Sequence, residues 1–216
     1  MKIGIVIPAL NEAQSVAAVI ESALPIGQVI VVDDGSADAT GSVAAAAGAT
    51  VIRHEHNRGY DGALSSGYAR AVELGCDVVV AIDADGQISV SDLEAVLMPI
   101  RRGQVDISIG VRERSARIGE ALFSAYAKFR FGVPDILCGL KAFTAEVYHK
   151  HGDLTRTDSI NTALFVAALR DGARFTTVPV AIAPRDGESR FGSGLRANWQ
   201  ILKVLFVTVL RDCRAG

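Results

Sequence analysis

The chain has no excess of charge of either sign: 22 Lys and Arg stand against 24 Asp and Glu, a formal net charge of −2 over 216 residues. That balance offers no electrostatic footprint for a general nucleic-acid binder. Cysteine is scarce as well. Cys76, Cys138 and Cys213 are odd in number, far apart and without Cys-x-x-Cys spacing, which speaks for reduced, buried thiols in a cytoplasmic protein rather than a disulfide framework. No apolar run reaches the roughly 18 residues that a membrane span needs, and Ile3–Ile7 is too short for a signal peptide. Repeats and low-complexity linkers are missing too. Half of the residues are hydrophobic and 21% are charged, which suits a globular chain with one sizeable core.

Within that core one stretch stands out, Val78-Val79-Val80-Ala81-Ile82-Asp83-Ala84-Asp85-Gly86-Gln87. Five apolar residues, three of them consecutive Val, read as a strand buried on both faces. The strand delivers Asp-x-Asp to its carboxyl end. Hard cations such as Mg²⁺ or Mn²⁺ take carboxylate oxygens and keep positions for water and phosphate. Asp and Gly are equally common in plain turns, so the stretch needs support from the rest of the chain.

That support comes from the order of elements. A first strand over 3–7 is expected to stop at Pro8. Asn11 is expected to cap a helix with Val16, Val19 and Ile20 on its apolar face. Val29–Val32 reads as a second strand ending in Asp33-Asp34-Gly35-Ser36, and Ser36 or Asp38 as the cap of an Ala-rich helix stopped by Gly48. A short strand over Thr50–Arg53 and a helix over 59–74 lead into the Asp-x-Asp strand. This alternation argues for a parallel sheet, in which ligands bind outside the carboxyl ends of the strands. Pro8–Glu12, Asp33–Ser36 and Asp83–Gln87 would then converge on one edge. Further on, Ser91-Asp92-Leu93-Glu94 has capping-box spacing for a helix running toward Pro99. Strands are expected at 107–109, 140–144 and 175–183, and helices at about 119–131 and 160–170. A Gly-rich loop over 185–194 precedes a last helix ending near Leu210.

Six blocks in order resemble the GT-A glycosyltransferases of family 2, in particular the polyprenyl-phosphate (dolichyl-phosphate) mannosyl- and glucosyltransferases. They are Ile7-Pro8-Ala9-Leu10-Asn11-Glu12, Val31-Val32-Asp33-Asp34-Gly35-Ser36, Asn57-Arg58-Gly59-Tyr60-Asp61-Gly62-Ala63, Asp83-Ala84-Asp85-Gly86-Gln87, Asp135-Ile136-Leu137-Cys138-Gly139-Leu140-Lys141-Ala142-Phe143 and Gly187-Glu188-Ser189-Arg190. The resemblance implies an α/β GT-A (Rossmann-like) fold, with a mixed, mainly parallel sheet flanked by helices on both faces. It implies a single domain over 1–216, with a nucleotide-sugar half to about 100 and an acceptor half after it. Pro8, Leu10, Glu12, Val32, Asp33, Asp34, Asp83, Ala84 and Arg185 would bind the nucleotide-diphosphate sugar. Asp83, Asp85 and Gln87 would hold Mg²⁺ or Mn²⁺ against the diphosphate. Asp85, Arg112 and Arg190 would serve catalysis, the guanidinium groups gripping donor and acceptor phosphates by paired hydrogen bonds.

Three departures from that pattern bear on the acceptor. Asp61 stands where a second Gly is usual, and Arg185 lies one residue closer to Gly187 than usual. Asn161-Thr162-Ala163 replaces a glutamate that many relatives carry. An inverting transfer to a hydroxyl needs a general base, whereas a lipid phosphate is already ionised at neutral pH. The loss of that carboxylate favours a polyprenyl phosphate acceptor, reached with inversion, over a sugar or small-molecule hydroxyl. Other readings are weaker. His54-x-His56 and His149-x-His151 have same-face strand spacing but no Cys or carboxylate companions for zinc. Lys141 suits a surface lysine with a buried stem as well as the family block. The Asp-x-Asp-Gly of haloacid-dehalogenase-like phosphatases normally follows a first strand and continues with Thr, whereas here it follows the fourth and continues with Gln87. A catalytically silent binding subunit would not need its acidic turns intact. The basic, apolar last helix (Arg196, Trp199, Lys203, Phe206, Arg211) has three open fates: packing on the core, pairing with a second copy or a membrane subunit, or lying at the cytoplasmic membrane face.

Overall fold

The computed structural model describes residues 1–112, 118–152 and 160–181. Arg114, Arg117, Arg185, Arg190, Cys213, the expected Gly-rich loop and the last helix lie outside the described residues. Seven strands, β1 (Ile3–Ala9), β2 (Gln28–Asp33), β3 (Thr50–Arg53), β4 (Val78–Ala81), β5 (Ile107–Arg112), β6 (Lys141–Thr144) and β7 (Phe175–Val180), form one sheet. Its order is β3-β2-β1-β4-β6-β5-β7. All pairings are parallel except those of β6, which runs antiparallel between β4 and β5. The sheet is therefore mixed and mainly parallel.

Seven helices flank it: α1 (Val16–Ala23), α2 (Thr40–Ala46), α3 (Gly59–Glu73), α4 (Val90–Arg101), α5 (Ile118–Phe131), α6 (Ala145–His151) and α7 (Ile160–Arg170). Apolar runs in the strands bury both faces, as the two-residue alternation of strand side chains requires. Ile5, Ile7, Val29, Val31, Val78 and Val80 pack on one side with Val16 and Ile20 of α1 and Leu93 and Leu97 of α4. Val6, Ile30, Val79 and Ala81 pack on the other with Leu64 and Tyr68 of α3 and Leu164 and Phe165 of α7.

Several local expectations are corrected. Pro8 lies inside β1, paired in register with Val32. The Ile82 amide donates to the Val6 carbonyl, so the missing Pro8 N–H falls on the β4 side, where β4 has already ended. Asn11 does not cap α1. It adopts a positive φ of 52° in a turn, and α1 begins at Val16. Neither Ser36 nor Asp38 is the N-cap of α2, whose capping position is Ala39. Asp38 instead accepts from the Thr40 amide at 3.0 Å. Ser89, not Ser91, caps α4, accepting from the Asp92 amide, and α4 continues through Pro99 to Arg101. Helix α6 was not anticipated; Thr144 at its N-cap accepts from Val147 N. His149 and His151 thus sit two apart on a helix, where they do not share a face as they would on a strand.

Helix α3 rides against β1 and β2 through Gly67. A Cβ there would overlap the Val6 Cγ1 methyl and lie 3.2 Å from Val32 Cγ2. Gly67→Ala should therefore lower stability by about 1–3 kcal/mol through overpacking, outweighing the roughly 1 kcal/mol gained in helix propensity. Urea unfolding should show a lower midpoint at unchanged slope; a raised midpoint would mean that α3 can step away from the sheet without loss.

Candidate active site

The carboxyl ends of β1, β2, β4 and β5 lie on the same edge of the sheet, and the turns leaving the first two are stitched to each other. Ser36 Oγ accepts from the Asn11 amide at 2.9 Å and Thr40 Oγ1 from the Glu12 amide at 2.8 Å. Asp38 Oδ2 accepts from Ala13 N at 3.2 Å, and Asn11 Oδ1 accepts in return from Ala37 N at 2.8 Å. The positive φ of Asn11, a conformation Asn tolerates better than most residues, turns the chain so that both its ends can bond. Pro8 and Val32 are buried in the strands below, while Leu10 and Glu12 are half-buried in this double turn. The Ser15 hydroxyl donates to the Glu12 carboxylate at 2.9 Å.

Asp33 and Asp34 diverge. Asp33 is fully buried and turned inward, its Oδ1 accepting from Ser36 N at 2.9 Å and its Oδ2 lying 3.4 Å from Arg53 Nη1. A Cβ at Gly41 would come 2.6 Å from Asp33 Oδ2, so α2 can approach this carboxylate so closely only because a glycine stands there. Asp34, also buried, accepts at Oδ1 from His54 Nδ1 (2.6 Å) and from Arg58 N (2.9 Å). His54 Nε2 lies 2.9 Å from Ser66 Oγ. Both ring nitrogens of His54 are thus engaged by protein groups, which answers the metal-ligand reading of that histidine. An open cleft of about 300 Å³ runs beside this array, lined by Gly35, Ser36, Arg53, His54 and Glu55.

After β4 the chain makes a tight turn with Gly86 at φ 75°. Asp83 and Asp85 are half-buried, Ala84 is buried, and the Gln87 amide donates to Asp85 Oδ1 at 3.1 Å. The Tyr60 hydroxyl donates to Asp83 Oδ1 at 3.1 Å. Burial, then the Asp83 charge, pushes the Tyr60 phenol well above its ordinary value, so it stays a donor. Gly139 faces the other oxygen, where a Cβ would sit 3.0 Å from Asp83 Oδ2. Among the described residues no three His, Cys, Asp or Glu side chains form a closed metal cage. Two neighbouring carboxylates are a donor set whose chemistry suits Mg²⁺ or Mn²⁺ shared with a phosphate.

Arg112 ends β5 at the same edge, but its fork is taken by a buried carboxylate. Nε and Nη2 donate to Asp135 at 2.8 and 3.0 Å, and the Arg112 amide adds a third bond at 3.2 Å. Lys141 contradicts the reading of a surface lysine: it is 1% exposed, with its ammonium 5.0 Å from the centre of the Phe165 ring. Burial pushes it down to about 8. Cys76 and Cys138 are free and buried, and burial drives Cys138 up to about 11. Sequence reasoning missed Tyr60, His54, Ser66 and Asp135 as parts of this edge. The signal for His54 was its place directly after β3, and for Tyr60 and Asp135 their membership in blocks already singled out.

Residues 4–162 match the family described as glycosyl transferase family 2. The chain belongs to that family. It is a glycosyltransferase, which removes the phosphatase reading of its Asp-x-Asp turn. An uncharacterized protein of Methanocaldococcus jannaschii is 30% identical over 218 residues, covering 93% of this chain and 89% of that protein. The undecaprenyl-phosphate mannosyltransferase of Micrococcus luteus is 28% identical over 220 residues, covering 90% and 89%. Among solved structures, glucosyl-3-phosphoglycerate synthase from Mycobacterium tuberculosis, in complex with Mn²⁺, uridine diphosphate and glucosyl-3-phosphoglycerate, superposes with a TM-score of 0.77. It is 22% identical and covers 98% of this chain and 80% of that one, a likeness of fold. The family 2 edge in this chain therefore sits on the expected GT-A architecture.

The buried Lys141 gives a test of its own. Its folded value of about 8 lies below the ordinary 10.5, so between those limits the unfolded chain holds the proton more strongly. Its contribution to stability rises with pH through that window and falls again as pH drops to about 8. Lys141→Met should lack this rise, gaining about 1–3 kcal/mol over the parent at pH 7.5 and losing the advantage by pH 10.5. Parallel urea titrations at the two pH values measure the difference; equal gaps at both would show the ammonium to be solvated.

Proposed function

We propose that this family 2 enzyme moves a sugar from a nucleotide-diphosphate sugar to a polyprenyl phosphate, with inversion and with Mg²⁺ or Mn²⁺ as cofactor. The reading rests on one observation: the turns Pro8–Glu12, Asp33–Ser36 and Asp83–Gln87 meet at one sheet edge. In this reading the β1 and β2 turns take the nucleoside, with Asp34 as an acceptor for the base. Asp83, Asp85 and Gln87 hold the cation, which as a Lewis acid would neutralise charge on the departing diphosphate. Tyr60 fixes the orientation of Asp83 through its hydroxyl. Arg112, oriented by Asp135, and Arg185 and Arg190 supply positive charge for donor and acceptor phosphates. The acceptor phosphate attacks as an anion, so no general base is required, in keeping with Asn161-Thr162-Ala163 in place of a glutamate. The name of the Micrococcus luteus relative supports a lipid phosphate acceptor. Residues to about 100 would form the donor half and the remainder the acceptor half of one domain. The enzyme would work at the cytoplasmic face of a membrane, by itself, as a homodimer or on a membrane subunit. No described helix is long and apolar enough to cross one.

Incubation with Mn²⁺ and a panel of UDP- and GDP-sugars, with and without polyprenyl phosphate, tests this directly. Nucleotide release should depend on the lipid. Transfer to a sugar or small-molecule hydroxyl alone would shift the assignment to a hydroxyl-acceptor enzyme. Asp85→Ala should abolish metal-dependent turnover, by 100-fold or more on the order expected for loss of a metal ligand, while the cooperative unfolding transition is kept. Retained turnover would remove Asp85 from the cation site.

A further inference from the structure

The array behind Asp34 has a consequence for which base the donor carries. A carboxylate oxygen can only accept, so the 2.6 Å contact to Asp34 Oδ1 places the proton on His54 Nδ1. In the neutral ring Nε2 is then the acceptor, and the Ser66 hydroxyl at 2.9 Å is its donor. One tautomer and one ring orientation are fixed. The ring is 5% exposed, so it has little freedom to turn away. Oδ1 receives a second hydrogen bond from the Arg58 amide at 2.9 Å. Both in-plane lone pairs of that oxygen are occupied. Among the described residues, every hydrogen bond to the Asp34 carboxylate goes to Oδ1, and Oδ2 is left to serve as the acceptor.

Nucleobases differ in what they ask of such a group. Guanine presents N1–H and N2–H side by side, a pair that a carboxylate reads with two oxygens. Uracil presents a single N3–H between two carbonyls, which one oxygen reads in full. Against a carboxylate with one oxygen filled, guanine loses a partner for one N–H when its edge is desolvated, and uracil loses nothing. An unpaired buried donor is discriminated against by about 10-fold or more.

We infer that His54, held by Ser66, is a specificity-determining positioning residue that reduces Asp34 to a single acceptor and makes the site favour uridine over guanosine diphosphates. This rests on the reading that Asp34 faces the base of a nucleotide donor. His54 touches no substrate in this scheme; it acts through Asp34. Ser66, on α3, acts one step further back.

Calorimetric titration of the full chain with UDP and with GDP, each with Mn²⁺, is the test. UDP should bind at least 10-fold more tightly than GDP. His54→Phe keeps an aromatic ring in place, slightly larger than imidazole, and removes both nitrogens. It should leave UDP binding within about 3-fold and tighten GDP about 10-fold, bringing the UDP/GDP ratio close to one, because Oδ1 is released to pair with guanine. His54→Asn restores a donor at the Nδ1 position and should recover most of the preference, which a merely structural role would not do. Ser66→Ala should lower the ratio 2- to 5-fold and gives the answer if His54→Phe fails to melt cooperatively. GDP binding as well as or better than UDP to the parent chain would overturn the inference, leaving the donor-site reading intact. So would an unchanged ratio in folded His54→Phe, or in Ser66→Ala should His54→Phe not fold. Absence of binding by either nucleotide would overturn the donor-site reading itself, and the inference with it.

Discussion

The antiparallel course of β6 is the constraint on which the active edge depends. Parallel strands end at one edge and can carry only their outgoing turns to it. A strand running the other way starts at that edge, so it brings the loop before it to the same place. Ala81 of β4 pairs with Lys141, the first residue of β6, and the loop from Asp135 to Leu140 is thereby laid against the Asp-x-Asp turn. Gly139 meets Asp83 and Asp135 meets Arg112 for this reason. Elements far apart in sequence, on β4 and β5, are joined through a strand inserted between them.

The charges at this edge are managed by burial and mutual support more than by exposure to water. Asp33 and Asp34 are adjacent in sequence and both buried, yet they do different work. Asp33 is consumed by Ser36, Arg53 and the close approach of Gly41, whereas Asp34 is shared between a histidine and a backbone amide. Lys141 carries its ammonium against an aromatic ring, with Asp135 and Asp61 in range as countercharges. A desolvated ion without a tight oxygen partner is costly in a folded core. Its presence one strand from the Asp-x-Asp turn is the kind of local expense that functional sites keep and plain cores shed.

Much of this was legible in the sequence. Apolar runs such as Val78–Val80 locate buried strands because a two-sided strand has no polar face, and Gly48 and Gly75 mark helix stops through their positive φ. The convergence of three acidic turns also follows from strand–helix alternation alone. Other features were closed to local reading. The direction of β6 is a tertiary choice, since a four-residue strand carries no mark of its polarity. Asn11 and Ser36 have the composition of helix caps, but each bonds across to the other turn, and a hydrogen bond spanning 25 residues has no local signature. Lys141 was misread because side-chain type predicts exposure only when no pocket is built to hold the charge. The surroundings of His54 depended on Ser66, twelve residues away on another element.

Helix α3 ties these parts together mechanically. Tyr60, in its first turn, orients Asp83, and Ser66, six residues on, backs His54. At about 1.5 Å rise per residue the two contacts lie some 9 Å apart along one rigid rod. The rod is seated on the sheet through a glycine, Gly67, where no side chain intervenes. The Asp83–Gln87 turn and the Asp34 carboxylate therefore share a single spacer, and their separation is set by helix geometry instead of by loops. A shift of that rod would move both ends together, so the distance between the two acidic turns behaves as one rigid length.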